Sequence, residues 1–172
     1  ELMPILGSEQ IECYRNKLEY SFSNMRWLTA EELQQIDESE GTIERKQPGL
    51  GFHIPGAFDK VLHIDKCMLQ DDFTNQVRNE VYNYAIEHKL PFINLRSQEG
   101  LLRDMMVRIV TTGQIMVLVQ AKVVTPSDME QFMELMQHIS DKFPQITSLL
   151  YVINNKCNDT FGDLEVKVFR GE

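Results

Sequence analysis

Apolar and polar residues alternate over residues 14–23: Tyr14, Leu18, Tyr20 and Phe22 are apolar or aromatic, whereas Arg15, Lys17, Glu19, Ser21 and Ser23 are polar. A period of two is that of a strand with one face packed and the other turned outward. The segment therefore predicts a half-buried strand that starts at Tyr14 and carries Arg15 and Lys17 on its outward face. Thr29 is placed to cap a short helical turn over 30–36, and an acidic loop containing Gly41 follows. Residues 50–54 and 60–64 read as two short strands joined across Pro55-Gly56.

The period then changes. Asp71 or Asp72 can cap a helix reaching about residue 89, in which Phe73, Val77, Val81, Tyr84 and His88 fall on one stripe before Pro91 ends it. Residues 101–110 and 114–121 flank Thr111-Thr112-Gly113 as a hairpin, with Ile115, Val117, Val119 and Ala121 on one face. Ser127 and Glu130 have capping-box spacing and open a second helix with the stripe Met129, Phe132, Met133, Met136, Ile139 and Phe143, closed by Pro144. Residues 146–153 read as a buried strand and 164–169 as an alternating one. The order predicts an α+β fold: a mostly antiparallel or mixed sheet with two main helices packed on one face. No internal repeat or low-complexity tract is present.

Composition narrows the function classes. With 172 residues, 42% hydrophobic and 25% charged, the chain can bury one core, so a single domain over 1–172 is expected. No apolar run approaches the roughly 20 residues needed to cross a bilayer, and no signal peptide is evident. The expectation is a soluble, cytoplasmic protein without membrane contact. Cys13, Cys67 and Cys157 are far apart and form no C-x-x-C pair, which predicts reduced thiols and not a zinc site.

The net charge of -9 excludes a protein whose whole surface grips nucleic acid, so any such role must be local. The charge is uneven. Glu31, Glu32, Asp37, Glu38, Glu40 and Glu44 crowd one stretch, while residues 14–27 carry Arg15, Lys17 and Arg26 against only Glu19. The start at Glu1 and the end just after a strand-like segment suggest an excised fragment.

Catalytic signatures are missing: there is no G-x-S-x-G elbow, dinucleotide fingerprint or P-loop, and His53, His63, His88 and His138 are scattered. From the residues alone, Cys67 and the methionines read as core filler. Arg15 and Lys17 fit either phosphate contact or simple solvation.

A family resemblance adds to this. Residues 14–23, Tyr-Arg-Asn-Lys-Leu-Glu-Tyr-Ser-Phe-Ser, look like the opening of the central domain in TrmA/RumA-type RNA uracil-5 methyltransferases. Leu50-Gly51-Phe52-His53, Phe58-Asp59-Lys60-Val61, Ile64 to Gln70, Gly100 to Arg103, Val107-Arg108, Thr112 to Val117 and Ile146 to Leu149 continue the similarity in order. The resemblance implies an enzyme that uses S-adenosyl-L-methionine to methylate uracil C5 in tRNA or rRNA. Its methyl donor and attacking cysteine would lie in a separate domain, so this stretch would hold no catalytic residue and be inactive and monomeric alone.

The resemblance further implies that Cys67 is the fourth ligand of a 4Fe-4S cluster whose other ligands are absent here. It makes Arg15, Lys17 and Glu19 candidates for RNA contact. Two alternatives stand beside it: a non-catalytic RNA- or protein-binding module, and a structural or oligomerisation module built on the apolar hairpin over 101–121.

Overall fold

The structure, a computed structural model, describes residues 2–39 and 41–171; Glu1, Glu40 and Glu172, including the Glu40 of the acidic stretch, lie outside them. Among the described residues, seven strands form one sheet: β1 (Lys17–Ser23), β2 (Gly49–Ile54), β3 (Ala57–His63), β4 (Leu102–Ile109), β5 (Ile115–Ala121), β6 (Ser148–Ile153) and β7 (Lys167–Gly171). Their order across the sheet is β3-β2-β1-β4-β5-β6-β7. All pairings are antiparallel except β5 with β6. That parallel pair needs a crossover, which α3 (Pro126–Lys142) supplies. With α1 (Ala30–Glu38) and α2 (Asp72–Glu87), the architecture is the α+β fold read from the sequence.

Alternation decides the layers. Leu18, Tyr20 and Phe22 of β1, Met105 and Val107 of β4, Val117, Val119 and Ala121 of β5 and Leu149 of β6 belong to one buried cluster. Val77, Val81 and Ala85 of α2 and Phe132, Leu135, Met136 and Ile139 of α3 fill the same cluster. The two long helices therefore cover one side of the sheet, as the stripes required. Arg78 of α2 is buried there as well, its guanidinium 5.0 Å from the Tyr20 ring centroid and hydrogen-bonded to Asn75 and the Asp65 carbonyl.

Two local expectations are corrected. The first strand begins at Lys17, not Tyr14: residues 13–15 leave the ladder and run beside 68–69, with Cys13 N donating to Met68 O at 2.8 Å and Arg15 N to Leu69 O at 2.9 Å. Helix α3 is capped by Thr125 with Asp128, not by Ser127 with Glu130, because Pro126 has no N–H to bond and fits the first helical position. The apolar hairpin of β4 and β5 is central, flanked by β1 and β6, and its residues Met105, Val107, Val117, Val119 and Ala121 belong to the main buried cluster. Thr29, by contrast, caps α1 as expected, in a capping box with Glu32.

Candidate nucleic-acid interface

The side of the sheet away from α2 and α3 is mixed, carrying the polar half of the β1 alternation beside apolar residues of β4 and β5. Register places Lys17, Glu19 and Ser21 of β1 opposite Arg108, Met106 and Asp104 of β4. The same three β4 residues face Met116, Leu118 and Gln120 of β5. Lys17 and Arg108 are thus cross-strand neighbours, and both are exposed. Their like charges are tempered by Glu19, which accepts from Lys17 Nζ at 2.7 Å. Sequence reasoning does not single out Arg108, because only strand pairing brings it to Lys17.

Of the proposed RNA-contact residues, Lys17 and Glu19 share this face. Arg15 is exposed but precedes β1, so it is not on the strand face that the alternation suggested.

The other end of the face is built by a bulge. Between the pairs Leu102 with Ala121 and Asp104 with Gln120, β4 has one extra residue, Arg103. Arg103 is 1% exposed and clamps the loop after β6: Nη1 donates to Lys156 O at 2.6 Å, and Nη2 to Asp159 Oδ1 at 2.8 Å. Asn154, fully buried, reinforces the loop by donating to Gln120 Oε1 and to the Asn158 carbonyl. Phe161 and Leu164 then pack on Met106, Leu118 and Val152 as a small second core.

Beneath this loop lies Asp104. Ser21 Oγ donates to its Oδ1 at 2.7 Å, while Oδ2 is enclosed without a partner. Burial first, and the neighbouring Asp159 second, push its carboxyl up to about 7, against the opposing pull of the Ser21 hydroxyl and Arg103. A cavity of about 230 Å³ opens here, bounded by Glu19, Ser21, Asp104, Gln120 and Phe161. It adjoins a wider one of about 670 Å³ beside the β2–β3 turn; His53 and Asp159 line both.

The remaining histidines have structural partners, as expected of them. His63 stacks on Tyr82 and bonds the Leu50 backbone, His88 stacks on Tyr84, and His138 meets Glu80.

Cys67 is 6% exposed in the main core. Its loop is fixed by Asn75, whose Oδ1 accepts from Cys67 N at 2.8 Å and whose Nδ2 donates to Cys67 O at 3.1 Å. Among the described residues no group of three or more Cys, His, Asp or Glu could hold a metal ion. One thiol by itself cannot hold a four-iron cluster, so no chemistry is routed through one here. The chain likewise has no glycine-rich turn of the kind that cradles a dinucleotide. Among the described residues no helix is long and apolar enough to cross a membrane.

No family model matches the chain. A Bacteroides thetaiotaomicron protein named an uncharacterized RNA methyltransferase is 55% identical over 172 residues, covering all of this chain and 37% of that protein. A Porphyromonas gingivalis protein of the same description is 49% identical over 99% of the chain and 36% of its own length. The chain therefore spans just over a third of the curated relatives it matches.

Among solved structures, a Pyrococcus abyssi tRNA (uracil-54, C5)-methyltransferase in complex with S-adenosyl-L-homocysteine shares the fold. Its TM-score is 0.61 at 20% identity, over 96% of this chain and 33% of that one. The similarity read from scattered segments is thus borne out over the whole length: this chain is similar throughout to about a third of proteins that carry the name RNA methyltransferase.

Proposed function

We propose that the chain is the substrate-side domain of an RNA uracil-5 methyltransferase, acting on tRNA or rRNA with S-adenosyl-L-methionine as methyl donor. The observation that carries this reading is the full-length similarity to RNA methyltransferases together with a fold shared with a uracil-C5 enzyme. The methyl donor site and the attacking cysteine belong to the part of the protein outside this chain. Methyl transfer to C5 of uracil requires addition of a thiolate at C6, which makes C5 nucleophilic, and loss of the C5 proton to a base. No residue of the open face is assigned either task.

What these residues do is bind and orient. Lys17 and Arg108, with Arg15 nearby, meet phosphates, and Glu19 holds Lys17 in place. The polar cleft over Ser21, Asp104 and Gln120 lies beside that track. Because the overall charge is -9, contact is confined to this face and the rest of the surface repels the polyanion.

The test is direct. The longer protein, incubated with labelled S-adenosyl-L-methionine and unmodified tRNA or rRNA transcripts, is expected to yield 5-methyluridine on nuclease digestion and mass spectrometry. The 172-residue chain alone is expected to yield none. Methylation at another atom, or none in either RNA, overturns the reading. A second reading, a binding module without catalysis, is favoured by the chain's own continuous core; it predicts RNA binding by the isolated chain and an inactive longer protein.

A further inference from the structure

The wider cavity beside the β2–β3 turn has no part in the phosphate track, and its walls have a chemistry of their own. Phe58, Asp59 and Lys60 intervene between the partners of Ile54 and His53, so β3 bulges there and carries the Phe58 ring to the cavity rim. Phe58 is 63% exposed. The Arg96 guanidinium carbon sits 5.2 Å from its ring centroid. Arg96 is held in that position by Asp59, which accepts from Nε at 2.5 Å. Asp59 is itself buried, and the guanidinium beside it keeps its carboxyl below the usual range, so the pair stays ionised.

The opposite wall is Gln98. Its backbone is in the left-handed region at φ 58°, a conformation that costs a non-glycine residue on the order of 1 kcal/mol and persists only where its surroundings fix it. Gln98 N donates to Asn94 O at 2.7 Å, Nε2 donates to Leu95 O at 2.9 Å, and Lys122 Nζ donates to Gln98 O. Gln98 Oε1, by contrast, is enclosed and has no donor. That oxygen is shut off from the cavity, so Gln98 lends this wall a fixed surface and not a hydrogen-bonding group. Asp159, on the third side, is already neutralised by Arg103.

We propose that this cavity takes one unpaired nucleobase of RNA, stacked on Phe58 alongside Arg96. The inference rests on the RNA reading above and deepens it: phosphates are met at Lys17 and Arg108, and one base is held here. An exposed aromatic ring with a guanidinium beside it is how single-stranded RNA is commonly gripped, since every base has a π face. A volume of about 670 Å³ accommodates a base with its ribose. An apolar peptide would cover the exposed Arg96 guanidinium without meeting its charge, so the chemistry favours RNA as the occupant.

The experiment measures fluorescence anisotropy of the 172-residue chain with a short labelled single-stranded RNA and with a duplex of equal length, over a salt series. Phe58→Ala is expected to weaken single-strand binding about tenfold and to leave duplex binding and the salt slope unchanged. Phe58→Tyr keeps the π face and is expected to bind as the parent does, whereas Phe58→Leu keeps apolar bulk and is expected to fail like alanine. Because Phe58 is solvent-exposed, thermal melts of the three variants should coincide. Phe58→Ala or Phe58→Leu binding single strands like the parent overturns the base pocket while the RNA reading stands. A parent chain that binds neither RNA also overturns the base pocket, and the RNA reading is then decided by the methylation assay on the longer protein.

Discussion

On the helix side of the sheet, Leu18, Tyr20, Val107, Val117, Val119 and Leu149 meet α2 and α3 in one continuous apolar cluster. On the opposite side the same strands carry Lys17, Glu19, Ser21, Asp104 and Gln120, roofed in part by a loop that Arg103 and Asn154 hold down. The first face is held mainly by apolar area, with the buried Arg78 and its bonds to Asn75 and the Asp65 carbonyl as a polar exception. The second depends on particular donors and acceptors: Arg103 on Lys156 O and Asp159, Asn154 on Gln120, and Ser21 on Asp104. One face makes the fold and the other is free to bind.

The comparison breaks most severely if the helix side is hollowed. Phe132 is fully buried on α3 and meets Tyr151 edge-on at 5.9 Å between centroids. Phe132→Ala is expected to cost about 4 to 5 kcal/mol, read as a lowered denaturant midpoint with an unchanged slope.

Asp104 gives the next largest effect, and its sign distinguishes the two faces. Its carboxyl titrates at about 7 in the folded chain against an ordinary value of 3.8, so between those pH values the folded state binds more protons than the unfolded one. Stability therefore falls as pH rises from about 4 to about 7, by roughly 4 kcal/mol. Asp104→Asn, which cannot ionise, is expected to remove that loss, so that its unfolding free energy exceeds the parent's at about pH 8 and approaches it near about pH 4. Parallel profiles for the two proteins across this window would refute the assignment.

Much of the helix side was legible in the sequence, because alternation in β1 and β5 and the stripes of α2 and α3 each report a single buried face. What escaped was non-local or hung on one backbone detail. Lys17 and Arg108 meet only through strand pairing, and Arg103 turns to the open side only because β4 bulges between Leu102 and Asp104. Thr125 displaced Ser127 as helix cap because Pro126 lies between them, and Tyr14 left the strand because residues 13–15 bond the 68–69 segment instead. The parallel placement of β6 beside β5 follows from the α3 crossover, which short periodic runs do not reveal. The resemblance singled out the first strand as a candidate for RNA contact, yet the cavities beside Asp104 and Phe58 came only from the arrangement of loops.

Arg103 tests whether the loop is truly clamped. Arg103→Met keeps the length of the buried stem but removes the bonds to Lys156 O and Asp159. A drop of about 2 to 3 kcal/mol is expected. Amide exchange should rise first over residues 155–163, before the strands of the helix side. Uniform exchange across the whole chain would mean that the two faces are not separable units.

A smaller change separates two roles for Cys67. As an enclosed core thiol, Cys67→Ser is expected to cost about 1 to 2 kcal/mol by burying a hydroxyl. As one ligand of a cluster completed by other parts of the longer protein, the same substitution would also abolish iron–sulfur absorbance after anaerobic reconstitution. Iron content equal in the two longer proteins would leave only the core role.

The smallest effect on stability should come from the basic end of the open face. Lys17 and Arg108 are exposed, and the Lys17–Glu19 pair at 2.7 Å lies in solvent, where such pairs contribute about 0 to 1 kcal/mol. Lys17→Ala with Arg108→Ala should therefore leave the melting transition within about a degree or two of the parent. Its effect should appear in RNA binding. Removing one phosphate-binding cation lowers the slope of log K against log salt by about 0.7 on a single strand, so the double variant should flatten it by about 1.4. Phe58→Ala should leave that slope alone while weakening the binding, because stacking releases no counterions. If both variants flattened the slope equally, phosphate track and base cavity would be one electrostatic site, and the division of labour across the open face would fail.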